Sequence, residues 1–580
     1  MTHKPNARIN RVRPAPVLAG LACWLAFIWI FDWMRRFTLR RKHRFIHFGP
    51  NRLHRRYGVE HFLVVGVSGS GKTLIVKGVM DSVFHDSIPG RACVYDGKLD
   101  LLPSVYAATG THPDQIDSGD ARVKLLNPLD VRAYAWDLAK DIDSPITAAQ
   151  FAKILVPDGE GAENDGSFFD CAVRDILSAV LLVLINHVPN KGSWTFRDLI
   201  LASMYEPYTR YLFDLAESQA NPRLPVVSRV QSTYLDCDPK TSSNIRATMS
   251  TKLSIFEPVA ACWDAARKLE RTVSLSDWAS DDSRDILVLG NDEASRACMD
   301  PINRALFKRI SELTISRRES TDAEKRTGDN QTWFILDEVK EAGRLDGLSS
   351  LLTKGRSKGA SIVLAFQDIE GLRHVYGEKI ANELTSQCNN AAFLRITSPA
   401  TSQWAADAFG SKLRTAQSRG MSLGADGQPN MSNDIHEEER PLLYTADLME
   451  LPLPTKKRGV FGFYRMAGIP IKSRRDTFAV WKPKMAKKPK GAPESHPSLS
   501  AFIARPVEDQ YLMPWDESDF ERLGFPSGVP PLGPSAKPVT PKVEDLMRDF
   551  LNSKPAQDEA EPKPKPQDDL SEEPQEETDA

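Results

Sequence analysis

Six short apolar runs punctuate this chain: Phe62 to Val65, Arg91 to Asp96, Val123 to Leu126, Ile286 to Leu289, Thr332 to Leu336 and Ser361 to Phe366. Each is four to six residues long, apolar throughout or nearly so, and followed by a turn or a helical pattern. Near-continuous apolar strands alternating with helices predict a parallel sheet covered on both faces, so the expected class is α/β. Between residues 137 and 270 the period changes from strand-like to helical, punctuated by Pro189, Pro222, Pro225 and Pro258, which predicts an all-α domain inserted into the α/β core. Within it, Ile176 to Ile185 is strongly apolar but short and bounded by Asp175 and Asn186, so it reads as a buried core helix and not a membrane span. A helix is expected from about Pro301 to Arg317, followed by a polar loop over Arg318 to Asn330.

A different pattern opens the chain. Ala15 to Phe31 carries no charge, and Trp33 and Met34 extend it past Asp32. As a helix, 17–20 residues cover about 26–30 Å, just enough to cross a bilayer, with Trp24, Trp29 and Trp33 as interface anchors. A cleaved signal peptide fits less well because no A-x-A site follows, and a buried soluble helix is the remaining alternative. Four Lys/Arg precede the run and six follow up to Arg44, which places the long C-terminal part in the cytoplasm. Residues 35–57 read as a basic juxtamembrane linker, better suited to anionic lipid headgroups than to nucleic acid.

Charge sharpens this division. The net charge is only −2, yet residues 1–56 hold thirteen Lys/Arg against the single acid Asp32, while the last 25 residues hold ten acids and two lysines. Different partners are therefore expected at the two ends. Residues 482–580 are rich in Pro, Lys, Glu and Asp and are expected to be mostly disordered, apart from a short helix over 541–552 that gathers Val543, Leu546, Met547, Phe550 and Leu551 on one face. That tail suits either recruitment of a partner or mere solubilisation. The seven cysteines are scattered, odd in number and without a C-x-x-C pair, which indicates neither a disulfide framework nor a zinc site.

The chemistry lies at the ends of the apolar runs. After Phe62 to Val65 come Gly66, Val67, Ser68, Gly69, Ser70, Gly71, Lys72 and Thr73, a G-x-x-x-x-G-K-[ST] phosphate loop in a strand–loop–helix setting. Its backbone N–H groups and the helix N-terminus cradle an anion, Lys72 reaches the β- and γ-phosphates of ATP, and the Thr73 hydroxyl ligates Mg²⁺. Thr332 to Leu336 runs into Asp337 and Glu338, a Walker B arrangement. Asp337 would hold the Mg²⁺ shell and Glu338 would orient and deprotonate a water, so the pair of motifs reads as a nucleotide hydrolase. Gln367 ends the Ser361 to Phe366 strand, where it either senses a γ-phosphate or caps a turn. Between those strands LLTKGRSKG carries Lys354, Arg356 and Lys358. They form a solvated turn, a DNA-phosphate contact or a cation for a neighbouring subunit's nucleotide, and Arg356 is the candidate for the last role.

The order GVSGSGKT, VYDGKLD, LLNPLD before Trp136, a helical insertion, ILDEV, LTKGRSKG, LAFQ and HVYG resembles the coupling proteins of type IV secretion and conjugation, the TraD/TraG/TrwB group, over roughly residues 58–475, with EERPLLYTADLMELP as a closing segment. The resemblance implies a RecA-like P-loop ATPase core, hexameric around a DNA channel. In domain terms it implies a basic N-terminus (1–14), a transmembrane helix (15–34), the linker (35–57), a nucleotide-binding domain in two parts (58–136 and 271–481) around the all-α domain (137–270), and the tail (482–580). It also implies a place in the bacterial inner membrane, where the ATPase would pass single-stranded DNA, gripped without sequence preference, and its relaxase from the relaxosome to a type IV secretion channel. A pump for protein substrates or a non-motor recruitment scaffold are the alternatives. The group commonly has two transmembrane helices, whereas this chain shows one such run.

Overall fold

The structure, a computed structural model, describes residues 44–85, 90–157, 165–218, 224–290, 294–423, 429–471, 473–483 and 496–525. Nine strands join in one sheet: β1 (Phe62–Val65), β2 (Gly90–Asp96), β3 (Val123–Leu125), β4 (Ile286–Gly290), β5 (Gln331–Asp337), β6 (Ala360–Phe366), β7 (Asn390–Phe393), β8 (Val460–Arg465) and β9 (Phe478–Trp481). Their order is β9-β8-β7-β1-β6-β5-β2-β4-β3, with seven strands parallel and the β7-β8 and β8-β9 pairs antiparallel at one edge. Every residue of β1, β5, β6 and β7 is buried, as strands covered on both faces must be, and this explains why β1, β5 and β6 read as apolar runs, whereas β7 was not foreseen. The register brings Val65 beside Phe366 and Asp96 beside Asp337. The carboxyl ends of β1, β6, β5 and β2 therefore lie next to one another, where α/β sheets place their ligands.

Helix α1 (Lys72–Val83) leaves β1 and buries Ile75, Val76, Val79 and Met80 against the sheet core of Phe62, Val64, Ile335 and Val363. Between β3 and its sheet neighbour β4 runs the all-helical insertion, so that domain occupies one crossover connection. Its longest helix, α2 (Asp165–Asn186), buries Ile176, Leu177, Val180 and Leu184, and among the described residues no helix is long and apolar enough to cross a membrane. Trp136, Phe151, Phe196 and Trp263 meet edge to face where the insertion joins the core. The polar stretch 318–330 contains a short helix, Asp322–Thr327, started by a Thr321/Glu324 capping box that the loop reading overlooked. A long hairpin, Ser411–Leu423 with Pro429–Pro441, was likewise not foreseen.

Two expectations need correction. Within the supposed linker 35–57, Phe45–Phe48 and Asn51–His54 form an antiparallel hairpin that lies on α1, with Ile46 and Phe48 fully buried and His47 N–H donating to Ser82 Oγ at 2.9 Å. Basic residues alternate with core-facing ones there, and the charge masked the alternation.

The second correction concerns the tail, expected to be mostly disordered from residue 482. Residues 496–525 form a packed strap. Arg505 is buried, donating to the carbonyls of Pro128 and Asp130, and Val131 N–H donates to Ile503 O. Further on, Trp515 stacks on Tyr208 at 4.1 Å, and the helix Glu517–Leu523 pairs Asp519 with Arg197 and Arg522 with Asp198 on the insertion. The strap thus ties the α/β core to the helical insertion. The apolar run 15–34 and the helix expected over 541–552 lie outside the described residues.

Candidate active site

The phosphate loop is stitched to strands on both sides. Gly66 N–H donates to Phe366 O and Val67 N–H to Arg395 O, at 3.4 and 2.8 Å. Gly69 and Gly71 have φ of 75° and 101°, a region that glycine enters without a Cβ clash. A Cβ on Gly66 would stand 2.6 Å from Ser70 Oγ and 2.9 Å from Leu394 Cβ, so that position takes no side chain. Ser68 and Gly69 are exposed at the loop tip, and the buried Ser70 hydroxyl has no hydrogen-bond partner among the described residues. Lys72 is buried and folds its ammonium back onto the loop, donating to Gly66 O at 2.7 Å and Val67 O at 3.4 Å. Burial lowers its pKa, and the neighbouring Glu338 opposes that shift. A buried ammonium hydrogen-bonded to two carbonyls, with its one carboxylate neighbour 4.0 Å away, suits an anion such as the triphosphate of ATP.

The carboxylates sit two strands over, beyond β6. Asp337 ends β5 and accepts a 3.2 Å hydrogen bond from Thr73 Oγ1. Burial raises the Asp337 pKa and the Thr73 hydrogen bond opposes it. A hydroxyl and a carboxylate within contact distance fit a shared Mg²⁺, and these are the two residues that would hold it. Glu338 follows with φ 58°, an uncommon conformation for a residue with a side chain and one that costs on the order of 1 kcal/mol. Its carboxylate is buried. Its Oε2 accepts from Gln367 Nε2 at 3.0 Å and from Lys98 Nζ at 3.3 Å, with Lys72 Nζ at 4.0 Å.

Five of the residues singled out from the sequence, Lys72, Thr73, Asp337, Glu338 and Gln367, therefore meet at the carboxyl ends of β1, β5 and β6. Lys98 joins them although it had been assigned no role. It stands just past the tip of β2, and its signal was its place in VYDGKLD, two residues beyond a strand-end acid. That acid, Asp96, is turned to structure. It accepts the N–H groups of Asp100, Leu101 and Leu102, and burial lifts its pKa to about 6.

Arg356 lies elsewhere. It belongs to the short helical turn Gly355–Lys358 directly before β6, at the amino ends of the strands and so at the opposite edge of the sheet from the phosphate loop. Its half-exposed side chain pairs with Glu60. Arg56, Lys325, Lys354, Arg356 and Lys358 line a cavity of about 810 Å³ there. Arg356 is thus separated from the Lys72 of its own chain by the length of the strands.

A sequence model of the family described as the type IV secretion-system coupling protein DNA-binding domain matches residues 47–472. Coupling protein TraD of Escherichia coli (strain K12) is 23% identical over 507 residues, covering 86% of this chain and 64% of the relative. The type IV secretion system-coupling protein VirD4 of Bartonella quintana (strain Toulouse) is 20% identical over 419 residues, covering 68% of this chain and 59% of the relative. The chain thus spans somewhat less than two thirds of the length of these curated relatives. Among solved structures, the unbound bacterial conjugative coupling protein TrwBdeltaN70 superposes with a TM-score of 0.54 at 17% identity, covering 81% of this chain and 94% of that one. Plasmid coupling protein TrwB in complex with ADP and Mg²⁺ gives 0.53 at 17%, covering 78% and 89%. At these identities the likeness is one of fold, a P-loop α/β core of the coupling-protein type.

Proposed function

This chain belongs to the family of type IV secretion-system coupling proteins, and from that premise we propose that it is a membrane-anchored, ATP-driven DNA translocase that delivers a relaxase–DNA complex to a type IV secretion channel. The observation that carries the proposal is the meeting of Lys72, Thr73, Asp337, Glu338 and Gln367 at adjacent strand ends, since a scaffold that only recruits substrate has no use for a buried glutamate beside a phosphate loop. The structures of TrwB with ADP and Mg²⁺ and with the non-hydrolysable ATP analogue support ATP as the ligand of this site. The run 15–34 would supply the anchor.

Hydrolysis then follows from the geometry. Lys72 leaves the Gly66 and Val67 carbonyls for the β- and γ-phosphate oxygens, and the loop N–H groups hold the remaining charge. Thr73 and Asp337 would hold Mg²⁺, which would supply neutralisation of phosphate charge. Glu338 takes a proton from water as its oxygen attacks the γ-phosphorus in line. The bond to the β–γ bridging oxygen breaks, and ADP and phosphate leave. Gln367 keeps the Glu338 carboxylate oriented. Arg356, at the opposite end of the strands from its own chain's Lys72, would serve a neighbouring subunit's γ-phosphate, in a ring we infer to be a hexamer around the DNA. Contacts to DNA would be to backbone phosphates and hence non-specific.

The test is ATP hydrolysis by the chain with and without single-stranded DNA, beside Lys72→Ala and Glu338→Gln. Any shortened form must begin ahead of Phe45, because the Phe45–His54 hairpin completes the core. Stimulation by DNA that is absent from both variants supports the proposal. ATP binding without hydrolysis under any DNA condition overturns it in favour of a recruitment receptor.

A further inference from the structure

Glu338 is occupied in a way that its role as base does not explain. Its Oε2 accepts from the Gln367 amide at 3.0 Å and from the Lys98 ammonium at 3.3 Å, and the Lys72 ammonium is 4.0 Å away. Both donors sit on Oε2, which takes no proton from water while its lone pairs face them, and the cation there also fixes where the second oxygen, Oε1, points. Departure of one donor frees the carboxylate to turn towards a water. The three donors differ in their freedom. Gln367 directly follows the buried strand β6, and Lys72 is buried in the loop, with 6% of its side chain exposed. Lys98 has 45% of its side chain exposed and stands in the turn after β2, a flexible stem on a mobile kind of element.

Both lysine ammonium groups lie within 4.0 Å of a single carboxylate oxygen, so a γ-phosphate drawn in by Lys72 arrives within reach of Lys98 as well. The phosphate carries more charge than one carboxylate and offers three terminal oxygens, and it competes successfully for the freer cation. We propose that Lys98 is a γ-phosphate-responsive latch: it holds the Glu338 carboxylate in the nucleotide-free protein and swings to the γ-phosphate when ATP binds, releasing Glu338 to the attacking water.

ADP lacks the group that opens the latch, so Glu338 stays held after phosphate leaves. Lys98 thereby becomes a positioning residue whose two partners, the carboxylate and the phosphate, are exclusive. The strained backbone at Glu338 suits this role, since the side chain is held in place by its partners and not by a rotamer of a regular helix or strand. Gln367, which keeps its bond, prevents the released carboxylate from wandering.

This inference rests on the reading of the site as an ATPase, and its test separates the two. Full-length chain in mild detergent is compared as wild type, Lys72→Ala, Lys98→Met and Lys98→Arg, measuring kcat, KM and the separate affinities for ADP and for a non-hydrolysable ATP analogue. Lys98→Met, which keeps length but not charge, is expected to weaken analogue binding by roughly 10-fold or more while leaving ADP binding unchanged, and to lower kcat. Lys98→Arg is expected to restore part of both. If Lys98→Met binds analogue and ADP as wild type does and keeps its kcat while Lys72→Ala is inactive, the latch is wrong and the ATPase reading stands. Equal weakening of analogue and ADP also overturns the latch, because a merely structural lysine would do that. If Lys72→Ala hydrolyses ATP like wild type, the ATPase reading itself fails.

Discussion

Thr73 donates its hydroxyl to Asp337 Oδ2 across 3.2 Å, although 264 residues, including the whole all-α insertion, separate them in sequence. Parallel pairing of β6 with both β1 and β5 makes this contact, because it brings the phosphate loop and the acid-bearing strand to one end of the sheet. If Mg²⁺ bridges the pair, Asp337→Asn weakens the apparent Mg²⁺ affinity of the ATPase by at least 10-fold, and Thr73→Ala has a smaller effect in the same direction. Chelating the metal abolishes activity in all three proteins. A Mg²⁺ titration of hydrolysis that is unchanged in Asp337→Asn would exclude this placement of the metal.

Arg356 at the far edge of the sheet makes a prediction about assembly. Arg356→Ala alone should lose about 10³-fold or more in kcat, within the range seen for arginine fingers acting in trans. Mixing it with inactive Lys72→Ala should restore some activity, because mixed rings contain interfaces with an intact loop on one side and an intact arginine on the other. No recovery on mixing, with mixed assembly verified, would assign Arg356 to its Glu60 ion pair and nothing more.

The strand ends of the candidate site were legible in the sequence because chemistry and hydrophobic pattern coincide there. GVSGSGKT and the pair Asp337-Glu338 each follow an apolar run, and the parallel sheet that such runs predict leaves only one end for ligands. Lys98 was illegible, since a lysine in a polar turn looks solvated until the neighbouring strand tip is known. The strap over 496–525 was hidden for another reason. Its anchors, Arg505, Trp515 and Arg522, are single residues spaced without period in a proline-rich and charged setting, and each is fixed by a partner hundreds of residues away. Local composition cannot report such long-range pairing, and the same holds for the buried alternation in Phe45–Phe48 beneath a basic surface.

His61 sets a limit on acid stability. It lies immediately ahead of β1, fully enclosed, accepting Ile362 N–H on Nδ1 and donating from Nε2 to Leu352 O. Burial drives its pKa down to about 4, with the Leu352 hydrogen bond opposing and Arg356 adding to the shift. The unfolded chain takes up a proton near the ordinary value of 6.5, whereas the folded one does not until about 4. Folding stability from this residue is therefore complete above pH 6.5 and is lost as pH falls towards 4, by an amount of order 3 kcal/mol. His61→Asn keeps an acceptor for Ile362 and removes the titration. It should be less stable than wild type at pH 7.5, by about 1–2 kcal/mol, yet the gap should narrow or reverse near pH 4.5. Thermal melts of both proteins across that range give the answer, and a constant gap would show that the ring takes up its proton alike in the folded and the unfolded chain.

Asp198 tests whether the strap joins the two domains mechanically. The residue is fully buried on the helix Phe196–Met204 and accepts from Trp515 Nε1 at 2.7 Å, from Arg522 at 2.9 Å on each oxygen, and from Thr195. Asp198→Ala strands the Trp515 N–H and leaves Arg522 with only Asp519 and the Ser193 carbonyl, a loss of about 3–5 kcal/mol for a buried charge network cut on one side. The Arg505 end of the strap has independent partners at Pro128 and Asp130, so it should stay seated. Hydrogen exchange is then expected to quicken over 513–525 and not over 503–505. If the all-α domain acts on the ATPase through this connection, the variant also keeps its basal hydrolysis while DNA stimulation falls, because the strand ends that hold Lys72 and Glu338 are untouched. Uniformly faster exchange would instead show that the strap is held as one unit. Basal and stimulated rates falling together would show that its loss disturbs the sheet itself.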